Sequence, residues 1–169
     1  MYPDGHLYDE NIGQPLSEER IWQLYRWKNG TSRIAEKKKQ SIRLTYISAL
    51  PDLPSLCSRD DGRSYADSLN CGGIWDIFWL HCLAPNLFPI FDQHTYRAMA
   101  RIKGIIPSEI ETARRRKLAA YFDVYLPFVD SFGNDIPPRD LDKALFAYGR
   151  FLKSDFARHL SANCENTRL

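Results

Sequence analysis

The run from Ile74 to Leu83 constrains this chain more than any other stretch, because Ile74, Trp75, Ile77, Phe78, Leu80 and Leu83 put apolar groups nearly all round a helix. A helix without a polar face cannot lie on a surface, so other elements must pack on it from several sides. Asn70-Cys71-Gly72-Gly73 supplies a tight turn before it and Ala84-Pro85-Asn86 stops it. Asp76 and His81 interrupt the run, which at this length is a buried core helix and not a membrane span.

Partners for that helix are legible on both sides. Ser17 offers an N-cap, Glu18 and Glu19 suit the first turn, Ile21, Leu24 and Tyr25 follow helical spacing, and Asn29-Gly30 stops the helix. A second helix is expected from Thr31 or Ser32 to Ala49, and a short one over Arg63 to Leu69. Another begins behind Asp92 and ends at Gly104; a longer one is expected from Ser108-Glu109 to Phe128, and a last one from Pro137-Pro138 through Phe151. No segment reads as a strand and none repeats. With 169 residues, of which 44% are hydrophobic, the chain can bury one core without disulfides. The expectation is all-α: an irregular N-terminal leader over residues 1–16 and a single compact helical bundle over 17–169.

A net charge of +2 creates no strong overall field, so nucleic-acid binding must come from local patches; Arg33 to Arg43 and Arg114-Arg115-Arg116-Lys117 are the candidates. Cys57, Cys71, Cys82 and Cys164 lack the spacing of a zinc or iron–sulfur ligand set and fit reduced thiols, and the N-terminus lacks a basic region followed by an apolar one. A cytoplasmic protein that does not enter the membrane is expected, with its oligomeric state open.

One constellation points to chemistry. Leu69, the Asn70-Cys71-Gly72-Gly73 turn, the apolar helix, a Pro-bearing loop, the pair Ile90-Phe91 and then Asp92-x-His94-x-x-Arg97 follow one another over residues 63 to 103. This order, and the separation between hairpin and aspartate, resembles the helix-hairpin-helix DNA glycosylase superfamily of base-excision repair. The resemblance implies a bundle of that type acting on duplex DNA with a flipped base, without cofactor or metal. It gives Asp92 the catalytic role, and the amides of the Asn70, Cys71, Gly72 and Gly73 turn the task of holding the DNA backbone. His94, Arg97 and Arg101 share a helix face beside Asp92, where they suit phosphate; an ion pair of Arg97 with Asp76 or Asp92 is the bland alternative.

Two departures narrow the expectation. Ile74 stands where many family members carry a lysine that attacks the sugar, so the resemblance implies hydrolysis alone, without strand cleavage. The turn also lacks the family's usual Pro-Gly-x-Gly form. The chemistry is sound in its own right: breaking an N-glycosidic bond builds positive charge on the sugar, which an ionised carboxylate stabilises while orienting water. Asp92 equally suits a helix N-cap with no catalysis, and a non-catalytic DNA-binding or protein-interaction domain on the same scaffold remains the alternative. Trp22, Trp27, Trp75 and Trp79 suit packing or base stacking; His81 suits a satisfied core histidine, although Asp76, His81, Asp92 and His94 could in principle gather a metal, which is not expected.

Overall fold

The computed structural model describes residues 4–31, 33–106, 109–133 and 135–155. Nine α-helices are described: α1 (Gly5–Asp9), α2 (Glu18–Asn29), α3 (Glu36–Ile42), α4 (Arg59–Ser68), α5 (Gly73–Leu83), α6 (Gln93–Lys103), α7 (Arg114–Ala119), α8 (Leu126–Asp130) and α9 (Pro138–Lys153). The wider-wound turns Arg43–Ile47 and Ala120–Tyr125 prolong α3 and join α7 to α8. No strand occurs among the described residues, and no helix of theirs is long and apolar enough to cross a membrane. The protein is an all-α bundle.

The apolar helix is its axis. Ile77 and Leu80 of α5 join Phe91, Ala98, Met99, Tyr121, Tyr125 and Leu145 in one buried cluster. Phe78, Trp79 and Cys82, from the same helix, join Tyr8, Leu24, Tyr25, Trp27, Ile42 and Tyr46 in a second. α5 therefore separates an N-terminal group of helices from a C-terminal one, as a helix apolar on all sides requires. α6 and α9 make the most extensive helix contact, and Gly149 is the reason they approach so closely: a Cβ there would meet the backbone oxygen of His94 at 1.9 Å.

Several expected boundaries shift. The leader is not wholly irregular: α1 forms within it, and Tyr8 is buried against Trp27 with ring centroids 4.5 Å apart. The second helix starts at Glu36 rather than at Thr31 or Ser32, because Asn29 Nδ2 and Thr31 Oγ1 both donate to the carbonyl of Arg33 and close a loop there; Ser32 lies outside the described residues. α4 begins at Arg59, capped by a reciprocal Ser58–Asp61 box, so it is longer than Arg63 to Leu69. The helix expected from Ser108-Glu109 begins at Arg114; Ser108 is outside the described residues, and Glu109 and Ile110 are held by side chains of α6.

Candidate functional site

Asp92 caps α6. Its Oδ1 accepts from the amides of His94 at 2.8 Å and Thr95 at 3.0 Å, while Thr95 Oγ1 accepts the Asp92 amide, a closed capping box. Oδ2 faces a cation: Lys28 Nζ, from the last turn of α2, stands 3.5 Å away and also donates to the carbonyl of Phe91 at 3.1 Å. The Lys28 side chain is 5% exposed and that of Asp92 18%. Burial raises the Asp92 pKa, but Lys28 and the two amides outweigh it, so the carboxyl lies below its ordinary value and is ionised at neutral pH.

The segment that delivers Asp92 is held with unusual completeness. Four consecutive carbonyls each have a side-chain donor or partner: Phe88 has His81 Nδ1 at 2.6 Å, Pro89 has Tyr121 Oη at 3.0 Å, Ile90 has Tyr125 Oη at 3.0 Å and Phe91 has Lys28. These come from α2, α5 and the turn before α8, so an extended stretch without strand partners satisfies its acceptors and is fixed in place. Asp92 is thus preorganised by three separate parts of the bundle.

The glycine turn sits at the N-terminus of α5. Gly72 has φ 120°, a conformation that glycine tolerates, and α5 has no side-chain cap, unlike the helices begun by Ser17, Ser58 and Asp92. The Gly72 carbonyl accepts from Trp75 and Asp76, which leaves the amides of Gly73 and Ile74 without an acceptor inside the helix. Asn70 is exposed, Cys71 and Gly72 are half-buried, and Gly73 is buried.

Both basic runs reach this turn. On one side α7 packs so tightly that a Cβ on Gly73 would meet Lys117 Cβ at 2.8 Å and the Arg114 carbonyl at 3.1 Å. On the other, Lys38 lies 5.0 Å from the ring centre of Trp75. Asp76, 0% exposed, secures the first side: it accepts from Arg114 Nε at 2.8 Å and from Tyr46 Oη at 2.9 Å, and Arg114 also donates to the carbonyl of Ala66. Arg115 and Arg116 remain exposed, the latter pairing with Glu111. α2 joins turn and aspartate, since Lys28 touches Asp92 while its neighbour Asn29 accepts from Lys38 at 3.2 Å.

The other predicted contacts divide. Arg101 is exposed and open to solvent. Arg97 pairs with neither Asp76 nor Asp92: its partner is Glu109, with Nη1 donating to the Gly149 carbonyl at 3.1 Å. Its side chain is 7% exposed and holds α9 against α6. His94 lies between Arg97 Nη1 and the ring of Phe146, and burial lowers its pKa. Trp27 and Trp79 are buried, so neither is available to stack on a base. Asp76, His81, Asp92 and His94 each have separate partners, and no three His, Cys, Asp or Glu side chains gather among the described residues.

Sequence reasoning missed a second site at the opposite end of α5, a cavity of about 340 Å³ lined by Tyr8, His81, Pro89, Arg139 and Asp142 among others. Tyr8 Oη lies 2.7 Å from His81 Nε2; with the proton on Nδ1 for the Phe88 carbonyl, the tyrosine is the donor. Burial depresses the His81 pKa to about 4 and holds the ring neutral. It pushes the Asp142 carboxyl up to about 6, although Arg139 Nη1 bonds it at 2.6 Å. The one sequence signal was Asp142 in inward register with Leu145.

No family model, curated protein or solved structure matches the chain. The functional reading therefore rests on the site itself.

Proposed function

We propose that this protein is a DNA glycosylase-like hydrolase that releases a damaged or modified base, with Asp92 as its essential carboxylate and no lyase step. The observation that carries the reading is the investment in Asp92: four clamped carbonyls, two amides and Lys28 fix an ionised carboxylate in place. An ionised, oriented carboxylate can stabilise the positive charge that develops on the sugar and direct a water to it. The uncapped start of α5, flanked by Lys38 and α7, supplies amides and cations suited to backbone phosphates. Arg115 and Arg116 extend that surface. This reading places the protein with the cell's DNA, in a compartment that keeps Cys57, Cys71 and Cys82 reduced.

A second reading draws on Lys28. A buried ammonium on the carboxylate also suits a purely structural cap in a DNA-binding domain that performs no chemistry. Base release from a panel of damaged and modified duplexes, assayed with the wild type and Asp92→Asn, separates the two. Asparagine caps helices well, so the variant should fold and bind DNA but release no base. DNA binding with no release by the wild type from any duplex would establish the second reading, and no salt-dependent DNA binding at all would overturn both.

A further inference from the structure

We propose that the groove between α2 and α3 binds a segment of single-stranded nucleic acid, with a base stacked at Trp22 and the flanking phosphates on Arg26, Lys39 and Arg43. The inference goes beyond the glycosylase reading and does not depend on it. Those four side chains and Ile34 line a space of about 240 Å³, in which Trp22 and Ile34 supply the apolar part and no carboxylate takes part among the described lining residues. Sites that enclose a whole small molecule begin near about 300 Å³, so this groove suits one unit of a longer chain.

Two helices of opposite direction bring the cations together. Arg43 lies 5.4 Å from the centre of the Trp22 ring, while Lys38 reaches Asn29 at 3.2 Å, so α3 runs back along α2. Arg26 stands one helical turn beyond Trp22, and Lys39 and Arg43 stand one turn apart on the facing element. Like charges at that spacing disfavour a helix, and a third cation from α2 adds to the repulsion, which an anionic ligand relieves. The neighbouring carboxylates relieve it little. Glu36 pairs with Lys39 at 2.6 Å and acts on Arg43 from farther away, but its side chain is 81% exposed, in a pair of the kind that water and salt weaken. Glu18 accepts from Trp22 Nε1 at 3.3 Å and so holds the indole. Arg26 has no ion-pair partner among the described residues.

The exposure of these cations suits a strand, because exposed Lys and Arg side chains exchange small counter-ions for phosphates as a nucleic acid binds. The indole decides between anionic partners. Half-buried Trp22 beside a guanidinium offers the surface on which unpaired bases stack, and a run of Asp and Glu has no ring to match it. Bases in a duplex are already stacked on one another and cannot use it. α3 also sets Lys38 5.0 Å from the ring centre of Trp75, so its basic side chains flank two half-buried indoles.

The test uses the whole chain and a labelled thymidine dodecamer, with an abasic strand of equal length, a poly-glutamate peptide and phosphatidylserine vesicles as rivals. The dodecamer should bind with a slope of log affinity against log salt of about −2, from three phosphates at about 0.7 each. The abasic strand should bind the wild type about tenfold more weakly, and Trp22→Leu should bind the dodecamer weaker by a similar factor. Should Trp22→Leu fail to fold, the abasic strand makes the same comparison on the unaltered chain. Arg26→Glu with Arg43→Glu, both at exposed side chains, should abolish strand binding. Annealed into a duplex, the dodecamer should bind Trp22→Leu and the wild type alike. In NMR titrations the Trp22 indole N–H signal should move with the strand while those of buried Trp27 and Trp79 stay in place. Equal affinity for the abasic strand or the peptide, a Trp22 signal that does not move, full affinity in the double arginine variant, or vesicle binding without strand binding would overturn the proposal.

Discussion

The two ends of α5 are built from similar parts to opposite effect. At the N-terminal end a buried carboxylate, Asp76, is fully matched by Arg114 and Tyr46, and the surplus around it is cationic: Lys38, Arg115, Arg116 and Lys117. At the C-terminal end a buried carboxylate, Asp142, is bonded by Arg139, yet burial still pushes its pKa up to about 6. The helix dipole acts with opposite sign at the two ends, since its N-terminus favours anions and its C-terminus cations.

The sharpest way to break this contrast is Asp76→Ala. It deprives the buried Tyr46 hydroxyl and the half-buried Arg114 guanidinium of their shared acceptor, and we expect a loss of about 3 kcal/mol in denaturant-induced unfolding. Asp142→Asn tests the other end through pH. The folded pKa of Asp142 lies above the unfolded value of 3.8, so the wild type enjoys the stabilising effect of protonated Asp142 in full below about pH 4 and loses it as pH rises through about 6. The variant has no such loss. Its stability relative to the wild type should therefore rise by on the order of 2–3 kcal/mol between those limits, read from denaturant melts across pH. His81 runs the other way: with its pKa depressed to about 4, its contribution is full above about 6.5 and lost as pH falls, so His81→Gln should flatten the acid limb.

Smaller effects sharpen the comparison at the basic end. Gly73→Ala sets a methyl against Lys117 Cβ and the Arg114 carbonyl and should cost about 1–3 kcal/mol, with weakened DNA binding as α7 is displaced. Arg115→Glu with Arg116→Glu alters exposed side chains, so stability should move by less than about 0.5 kcal/mol. The slope of log affinity for duplex DNA against log salt should nevertheless fall in magnitude by about 2. An unchanged slope would remove the basic end from any nucleic-acid role.

What the sequence made legible were features whose cause is local. Ser17, Asp92, Gly30 and Gly104 cap helices where their side chains or backbone freedom say they should, and the all-round apolar pattern made α5 central. The Ser58-x-x-Asp61 box is equally local, though the prolines and serines around it mask the helix start. Partner choice was not legible. Arg97 chose Glu109 across the α6–α7 connection, Arg114 reached back to Asp76, and Tyr8 crossed 73 positions to His81. Each is decided by how helices dock, and no periodicity encodes that. The same holds for the site: Asp92 could be named from its neighbours, but Lys28, Tyr121 and Tyr125, which fix it, lie on other elements.

The clamped carbonyls from Phe88 to Phe91 carry a kinetic consequence. Their donors belong to α2, α5 and the turn over Ala120–Tyr125, so the geometry at Asp92 exists only when the groups of helices on both sides of α5 have docked. No partly opened form can keep that geometry while one of them detaches. Under mild denaturant, whatever Asp92 does should vanish in the same single transition as the near-ultraviolet signal of the buried aromatics, with neither outlasting the other.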